Sequence, residues 1–121
     1  MSPAEQPLLE SLSALHWLGI GLALVTAAVH FVLGIGFLPH WMGGAFLLAS
    51  AGFLLGIVLV VIGRRRRLVY LLGIPFTAGQ IVLWYALNRP ASAADLTIAG
   101  VIDKVAQILL LVVLVVLYRR A

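Results

Sequence analysis

Four long apolar segments, separated by short stretches that contain most of the charged and turn-forming residues, make up most of the chain. They cover residues 15–37, 43–62, 68–87 and 96–118, and each is close to the ~20 residues that a helix needs to span a bilayer. Only helices and closed barrels satisfy the backbone in lipid, and these segments are too long and too continuously apolar for barrel strands. The pattern predicts an all-α integral membrane four-helix bundle, formed by a single transmembrane domain over residues 1–121.

Small residues recur every three or four positions in the first two segments. In lipid there is little hydrophobic drive between helices, so close backbone contact through small residues favours their association. We expect the two seams to face each other or a second copy of the chain, and Gly52 and Gly56 also form a GxxxG motif. The predicted packing seam comprises Gly19, Ala23, Ala27, Gly34, Ala45, Ala49, Gly52 and Gly56.

Turn residues separate the segments. Pro39 disfavours helix at Leu38 and ends the first segment, and the short link that follows makes the first two helices antiparallel neighbours. Gly63 suits a helix C-cap, and Asp95 is a fair N-cap for the last helix. The predicted order is up-down-up-down.

The composition supports a membrane protein. The chain has 121 residues, of which 64% are hydrophobic and 10% charged, whereas soluble domains are about 45–50% apolar and about 25% charged. The net charge of +4 does not indicate nucleic-acid binding, because most arginines flank apolar segments. Without cysteine, disulfides, thiol catalysis and Cys-based metal sites are excluded. The N-terminal stretch has no basic residue before the first segment, so we expect that segment to be retained, not cleaved as a signal peptide.

The arginines predict the orientation. Six of them lie at one end of the bundle and Arg89 alone at the other, so the positive-inside rule places both termini in the cytoplasm of a multi-pass protein of the cell membrane. We interpret the six as topology anchors with some attraction to anionic lipid, in preference to a specific lipid site. Aromatic residues, Tyr70 among them, are expected in two interfacial belts. The anchors are Arg64, Arg65, Arg66, Arg67, Arg119 and Arg120.

Five polar residues fall at one depth in the predicted outer leaflet. Ionisable groups inside a bilayer are rare and costly, and they mark candidate functional sites. The layer either fixes the register of the bundle or handles a ligand or proton. In the structural interpretation Lys104 snorkels to the interface while Asp103 accepts hydrogen bonds from Gln80 or His30. The predicted buried polar layer comprises His30, Gln80, Asp103, Lys104 and Gln107.

Three more specific interpretations have less support from the sequence. A bis-histidine haem needs a second histidine on a facing helix, and the last three segments contain none. A metal site from His30, His40 and Met42 would have few soft ligands. The resemblance to small multidrug exporters is one of size alone, because the acidic residue that those proteins carry in their first helix is absent. His16 is interpreted as a solvated interfacial residue.

Three functions remain open, and no motif identifies a reaction. The first is a non-enzymatic accessory or oligomeric membrane component with a buried polar layer, which needs no metal or cofactor. The second is a small transporter or proton or ion conduit that uses His30 and Asp103. The third is a haem- or quinone-associated redox subunit. Expected partners are the lipid bilayer and either further copies of the chain or another membrane protein.

Four stretches carry a family resemblance: residues 15–19 around His16, 28–34 around His30, 73–90 with Gly73-Ile-Pro and Gln80, and 103–107 from Asp103 to Gln107. In these the chain resembles an uncharacterised family of small four-helix integral membrane proteins of haloarchaea. The resemblance covers nearly the whole chain and implies the same topology. It implies no activity, cofactor or catalytic residue.

Overall fold

The computed structural model describes residues 10–89, 92 and 96–121, and within them it contains four helices and no strand. The helices are α1 (Ala14–Phe37), α2 (Trp41–Val61), α3 (Arg66–Asn88) and α4 (Ile98–Arg120). All four are long and apolar enough to cross a membrane. The predicted helix number and class are therefore confirmed, and the observed ends lie within two residues of the predicted ones.

Polar side chains cap three of the four helices. Ser13 accepts a hydrogen bond from the backbone N–H of His16, and the imidazole of His16 in turn accepts from the backbone N–H of Ser13 at 3.0 Å. This reciprocal capping box gives His16 a structural contact that the interfacial interpretation did not include. At the start of α2, Nδ1 of His40 accepts a hydrogen bond from the backbone N–H of Met42 at 3.1 Å. Thr97 caps α4.

The first two turns begin at the residues that the sequence predicts as helix ends. α1 ends at Phe37, directly before the Leu38–Pro39 pair. Gly63 follows α2 with a φ of 72°, a left-handed conformation that glycine adopts without the penalty of a Cβ. The predicted cap Asp95 lies outside the described residues.

α1 and α4 hold the bundle together. α1 packs along both α2 and α4, and α4 also packs along α3, whereas α2 and α3 have fewer contacts with each other. Two buried apolar clusters lie along these interfaces. Near the ends of the helices that carry Arg66 and Arg120, which we call the arginine end, the cluster includes Val60, Tyr70 and Leu117. The second cluster, towards the middle, includes Ala27, Phe53 and Leu110.

Tyr70 does not belong to an interfacial belt. It is 2% exposed and packs in the arginine-end cluster. Its position in α3 matches the depth expected of a belt residue, but the helix turns this side chain towards α4 and α1 instead of lipid. The belt prediction for Tyr70 is therefore wrong.

The first small-residue seam faces two neighbours. Towards one end of α1 Gly34 lies against α2, where a Cβ added to Gly43 would be 2.7 Å from the Gly34 carbonyl oxygen. Towards the other end Gly19 faces α4, since a Cβ there would be 3.1 Å from Val113. Small residues thus allow close approach at both interfaces, as expected in lipid. Ala23 and Ala27 are buried between these two points.

The second seam turns mainly towards a different helix from the one predicted. A Cβ at Gly52 would be 2.6 Å from the ring of Phe76 on α3, and one at Gly56 would be 3.7 Å from Val69 on the same helix. At these two glycines α2 therefore packs on α3 and not on the first seam, and the alternative expectation, that the seam faces a second copy of the chain, stays a prediction. Ser50 and Phe53 are the buried residues of this part of α2, while Ala45 is exposed and Ala49 half-buried.

Candidate functional site: a polar layer shared by three helices

Asp103 lies at the centre of a buried polar cluster. Its Oδ1 accepts a hydrogen bond from the hydroxyl of Thr26 on α1, and its Oδ2 lies 2.8 Å from the Lys104 ammonium. The Nδ1 atom of His30 is 3.5 Å from Oδ1. Asp103 is 3% exposed, so a buried carboxylate is compensated by an adjacent cation and a hydroxyl donor, as burial requires.

The His30 ring is fixed by its own helix and by aromatic residues of α2. Nδ1 lies 2.8 Å from the backbone carbonyl oxygen of Thr26. A carbonyl can only accept, so this contact places the hydrogen on Nδ1. The ring meets Phe46 edge-on at 5.5 Å between centroids and lies 6.1 Å from the ring of Phe53. One edge of the imidazole therefore faces the polar cluster while aromatic rings pack around the rest.

Gln107 connects the three helices. Its Nε2 donates to Oε1 of Gln80 on α3 at 2.8 Å and to the hydroxyl of Thr26 on α1 at 3.1 Å. Its Oε1 accepts from Lys104 at 2.7 Å. The residue is fully buried. Every polar atom of this amide has a partner, which is the condition under which a buried amide stabilises a structure.

Lys104 does not extend to the interface. Its side chain is 12% exposed and ends between Asp103 and Gln107, with the ammonium 5.8 Å from the centre of the Trp84 ring. The snorkelling prediction is therefore wrong. Of the two donors expected for Asp103, Gln80 contacts Gln107 instead, and Nδ1 of His30 lies 3.5 Å from Oδ1. An acidic partner in the preceding position and an aromatic face together hold the cation inside the bundle.

The structure brings together all five residues of the predicted layer, and it adds Thr26. This hydroxyl contacts Asp103 and Gln107, and lies 3.3 Å from Nδ1 of His30. The sequence contained a signal for it, because Thr26 precedes His30 by four residues and so lies on the same face of α1. A second residue that the prediction missed is Ser50, which donates to the Ala27 carbonyl at 2.8 Å and links α2 to α1.

Two polar atoms next to the layer have no hydrogen-bond partner in the described part of the chain. They are Nε2 of Gln80 and the hydroxyl of Thr77, one turn away on α3. The network is thus closed around Asp103 and Gln107 and incomplete along α3. The layer contains one carboxylate (Asp103), one ammonium group (Lys104) and one imidazole (His30), so its net charge is zero when the imidazole is neutral.

The other histidines lie away from this cluster. His16 caps the start of α1 and His40 the start of α2, and the backbone of Met42 donates to the His40 ring. Among the described residues no group of three His, Cys, Asp or Glu side chains is placed to hold a metal ion.

Two adjoining cavities lie between the polar layer and the arginine end. The inner one has a volume of about 260 Å³ and is lined by apolar side chains from all four helices together with His16, Tyr70 and Thr77. The outer one, of about 220 Å³, contains Arg66 and Arg120 in its wall. The polar layer therefore has mainly apolar surroundings on its arginine-end side.

Comparison with protein-family models, with curated proteins and with solved structures found no match.

Proposed function

We propose that the protein is a non-enzymatic, multi-pass component of the cell membrane whose polar layer fixes the packing of α1, α3 and α4. The observation that carries this proposal is the closure of the network around Asp103 and Gln107: Asp103 and Lys104 neutralise each other, and Gln107 uses both its oxygen and its nitrogen within the bundle. A site that exchanges ions needs an open position or a wet approach, whereas a packing layer needs neither.

The proposed topology is up-down-up-down with both termini in the cytoplasm. Its support is the gathering of Arg64–Arg67 and Arg119–Arg120 at one end of the bundle. Because the chain has no cysteine, single substitutions such as Ala121→Cys and Ser92→Cys provide unique labels. In intact cells a membrane-impermeant maleimide is expected to label Ser92→Cys and to leave Ala121→Cys unlabelled. The reverse pattern would invert the topology.

The packing role is tested by measuring stability and proton flux on the same samples. We expect Asp103→Asn and His30→Ala to lower the melting temperature of the purified protein, since each disrupts the network. Ile108→Ala removes apolar volume from the exposed side of the same helix as Asp103 and is expected to change it much less. Proteoliposomes with the unmodified protein are expected to show the proton flux of protein-free vesicles.

A second candidate is a proton conduit, and one observation favours it. The imidazole of His30 lies 3.5 Å from a buried carboxylate, and titratable pairs of this kind inside a membrane occur in proton pathways. The apolar cavity on the arginine-end side of the layer weighs against a continuous polar path. A flux above background that Asp103→Asn abolishes would replace the packing role with this one.

A further inference from the structure

The inner cavity is a space between all four helices that small residues leave open. Gly19, Gly52, Gly56 and Gly73 line it, and at about 260 Å³ it is larger than the ~150 Å³ apolar cavities that take up benzene. Leu55 and Leu72, on α2 and α3, also line it and are more than half exposed. The cavity therefore adjoins the surface where α2 and α3 have few contacts.

The outer cavity supplies a basic mouth. Arg66, Arg120 and His16 line it, and all three lie at the arginine end of their helices. Arg66 is held in place, since its Nε donates to the Val60 carbonyl at 2.8 Å and its Nη1 to the Ser11 hydroxyl at 2.7 Å. Two guanidinium groups at one opening favour an anionic group there.

Tyr70 joins the two cavities. It lines both of them, as do His16 and Leu117. Its hydroxyl is buried and has no hydrogen-bond partner in the part of the chain that the structure describes. A buried hydroxyl without a partner is unfavourable, and a ligand oxygen at this point would relieve that penalty.

We propose that the two cavities form one binding site for a single-chain anionic lipid. Its carboxylate or phosphate headgroup lies between Arg66 and Arg120, and its chain enters the inner cavity past Tyr70. This site is separate from the polar layer and goes beyond the packing role proposed for that layer.

The dimensions fit one chain in one leaflet. Arg66 and Thr77, at the two ends of the site along α3, are eleven residues apart, which is roughly 16 Å of helix. Half of a hydrocarbon core is about 15 Å. The inner volume lies just below the about 300–1,000 Å³ of pockets for drug-sized ligands, which favours one chain over two. The occupant thus combines one apolar chain with one negative charge.

Photo-crosslinking tests this assignment in phosphatidylcholine nanodiscs that contain the full chain. The probe is an 18-carbon carboxylate with a diazirine at mid-chain, and labelled peptides are mapped by mass spectrometry. We expect labelling of the faces of α2 and α3 around Gly56 and Gly73, displaced by oleate or by lysophosphatidate. Whichever competitor displaces the probe at lower concentration identifies the headgroup. Oleyl alcohol, which has the chain without the charge, is expected to need at least about tenfold more.

Matched variants distinguish specific binding at the opening of the outer cavity from a general effect of surface charge. Arg120→Gln is expected to reduce displaceable labelling by the probe, which is itself a carboxylate, by about threefold or more at a subsaturating probe concentration. Arg119→Gln removes the same charge from the neighbouring position, which does not line the cavity, and is expected to leave displaceable labelling unchanged. Equal effects of the two variants would show that the arginines attract the anionic probe only through general surface charge, and would overturn the proposal.

A second pair of variants tests the inner cavity. A Cβ at Gly56 has ordinary contact with Val69 at 3.7 Å, so the larger side chain of Gly56→Leu is expected to fill the cavity and reduce displaceable labelling by about tenfold or more. Gly21→Leu makes the same exchange where a Cβ meets nothing within 4 Å, and labelling is expected to persist.

Three results would overturn the proposal. If oleyl alcohol displaced the probe at the same concentration as oleate, the cavity would take up any hydrocarbon chain of the membrane without recognising a charge. Crosslinks between α2 and α3 of two protein copies would assign the cavity to a second copy. Loss of labelling in Thr77→Val would place a neutral headgroup deep in the bundle, away from Arg66 and Arg120.

Discussion

Gln107 on α4 donates from Nε2 to the side-chain oxygen of Gln80 on α3 at 2.8 Å. The same nitrogen also reaches Thr26 on α1, so one fully buried amide connects three helices. Gln80 takes part in only one of these contacts, and its own Nε2 has no partner among the described residues. This asymmetry predicts different contributions of the two glutamines to stability.

Gln107→Leu is expected to lower the free energy of unfolding by about 1–3 kcal/mol, because it removes contacts to α1, α3 and Lys104 at similar volume. Gln80→Leu removes one contact together with the unpartnered nitrogen, and we expect it to lower the free energy by less than about 1 kcal/mol. Denaturation of both variants in the same detergent provides the comparison. A larger loss for Gln80→Leu would contradict the central position of Gln107.

The pairing of Lys104 with Asp103 can be tested by a double-mutant cycle. Lys104→Met leaves a buried carboxylate without its cation, and we expect a loss of about 3 kcal/mol or more. Adding Asp103→Asn to that variant removes the uncompensated charge, so the double variant is expected to regain at least about 1 kcal/mol. The readout is the free energy of unfolding of the two single variants and the double variant. If Lys104 pointed to water instead, its substitution would be nearly neutral and uncoupled from Asp103.

Gly43 and Gly44 are neighbours with opposite surroundings. A Cβ at Gly43 would be 2.7 Å from the Gly34 carbonyl and 2.8 Å from the Leu38 nitrogen, whereas a Cβ at Gly44 meets nothing within 4 Å. We expect Gly43→Ala to cost about 1–3 kcal/mol, because backbone must move. Gly44→Ala is expected to stabilise α2 by roughly 0–1 kcal/mol, since alanine favours helix. Melting temperatures of the two variants should therefore shift in opposite directions.

Gly52→Ala provides an intermediate case. The atom closest to its added Cβ is the tip of the Phe76 ring at 2.6 Å, and a side chain moves more easily than backbone. Its cost is expected to fall between those of Gly43→Ala and Gly44→Ala. A cost as large as that of Gly43→Ala would mean that the Phe76 ring is itself fixed in place, with no room to rotate.

The helices and most of the polar layer could be predicted from the sequence. Length and apolar content specify four segments, and a rise of about 1.5 Å per residue converts position in a segment to depth. The sequence therefore predicts one level for His30, Gln80, Asp103 and Gln107, and the structure brings them together. Thr26 can be predicted in the same way, because it shares a face of α1 with His30.

The partners within the layer could not be predicted in this way. Depth does not determine the rotation of a helix about its axis, and a long side chain at a given depth can extend towards water or towards a neighbour. Lys104 extends to Asp103 and Gln107, and Gln80 meets Gln107 instead of Asp103. Both outcomes depend on how α3 and α4 are turned against each other.

The sequence by itself determined four apolar helices, their approximate ends, and the common level along the bundle at which the polar residues lie, because these follow from chain length and helical rise. Only the tertiary structure decided that Gly52 faces α3, that Tyr70 is buried, and that two cavities remain open between the polar layer and the arginine end. The physical reason is that turning a helix about its axis leaves its own hydrogen bonds intact, so side-chain packing between helices selects the rotation.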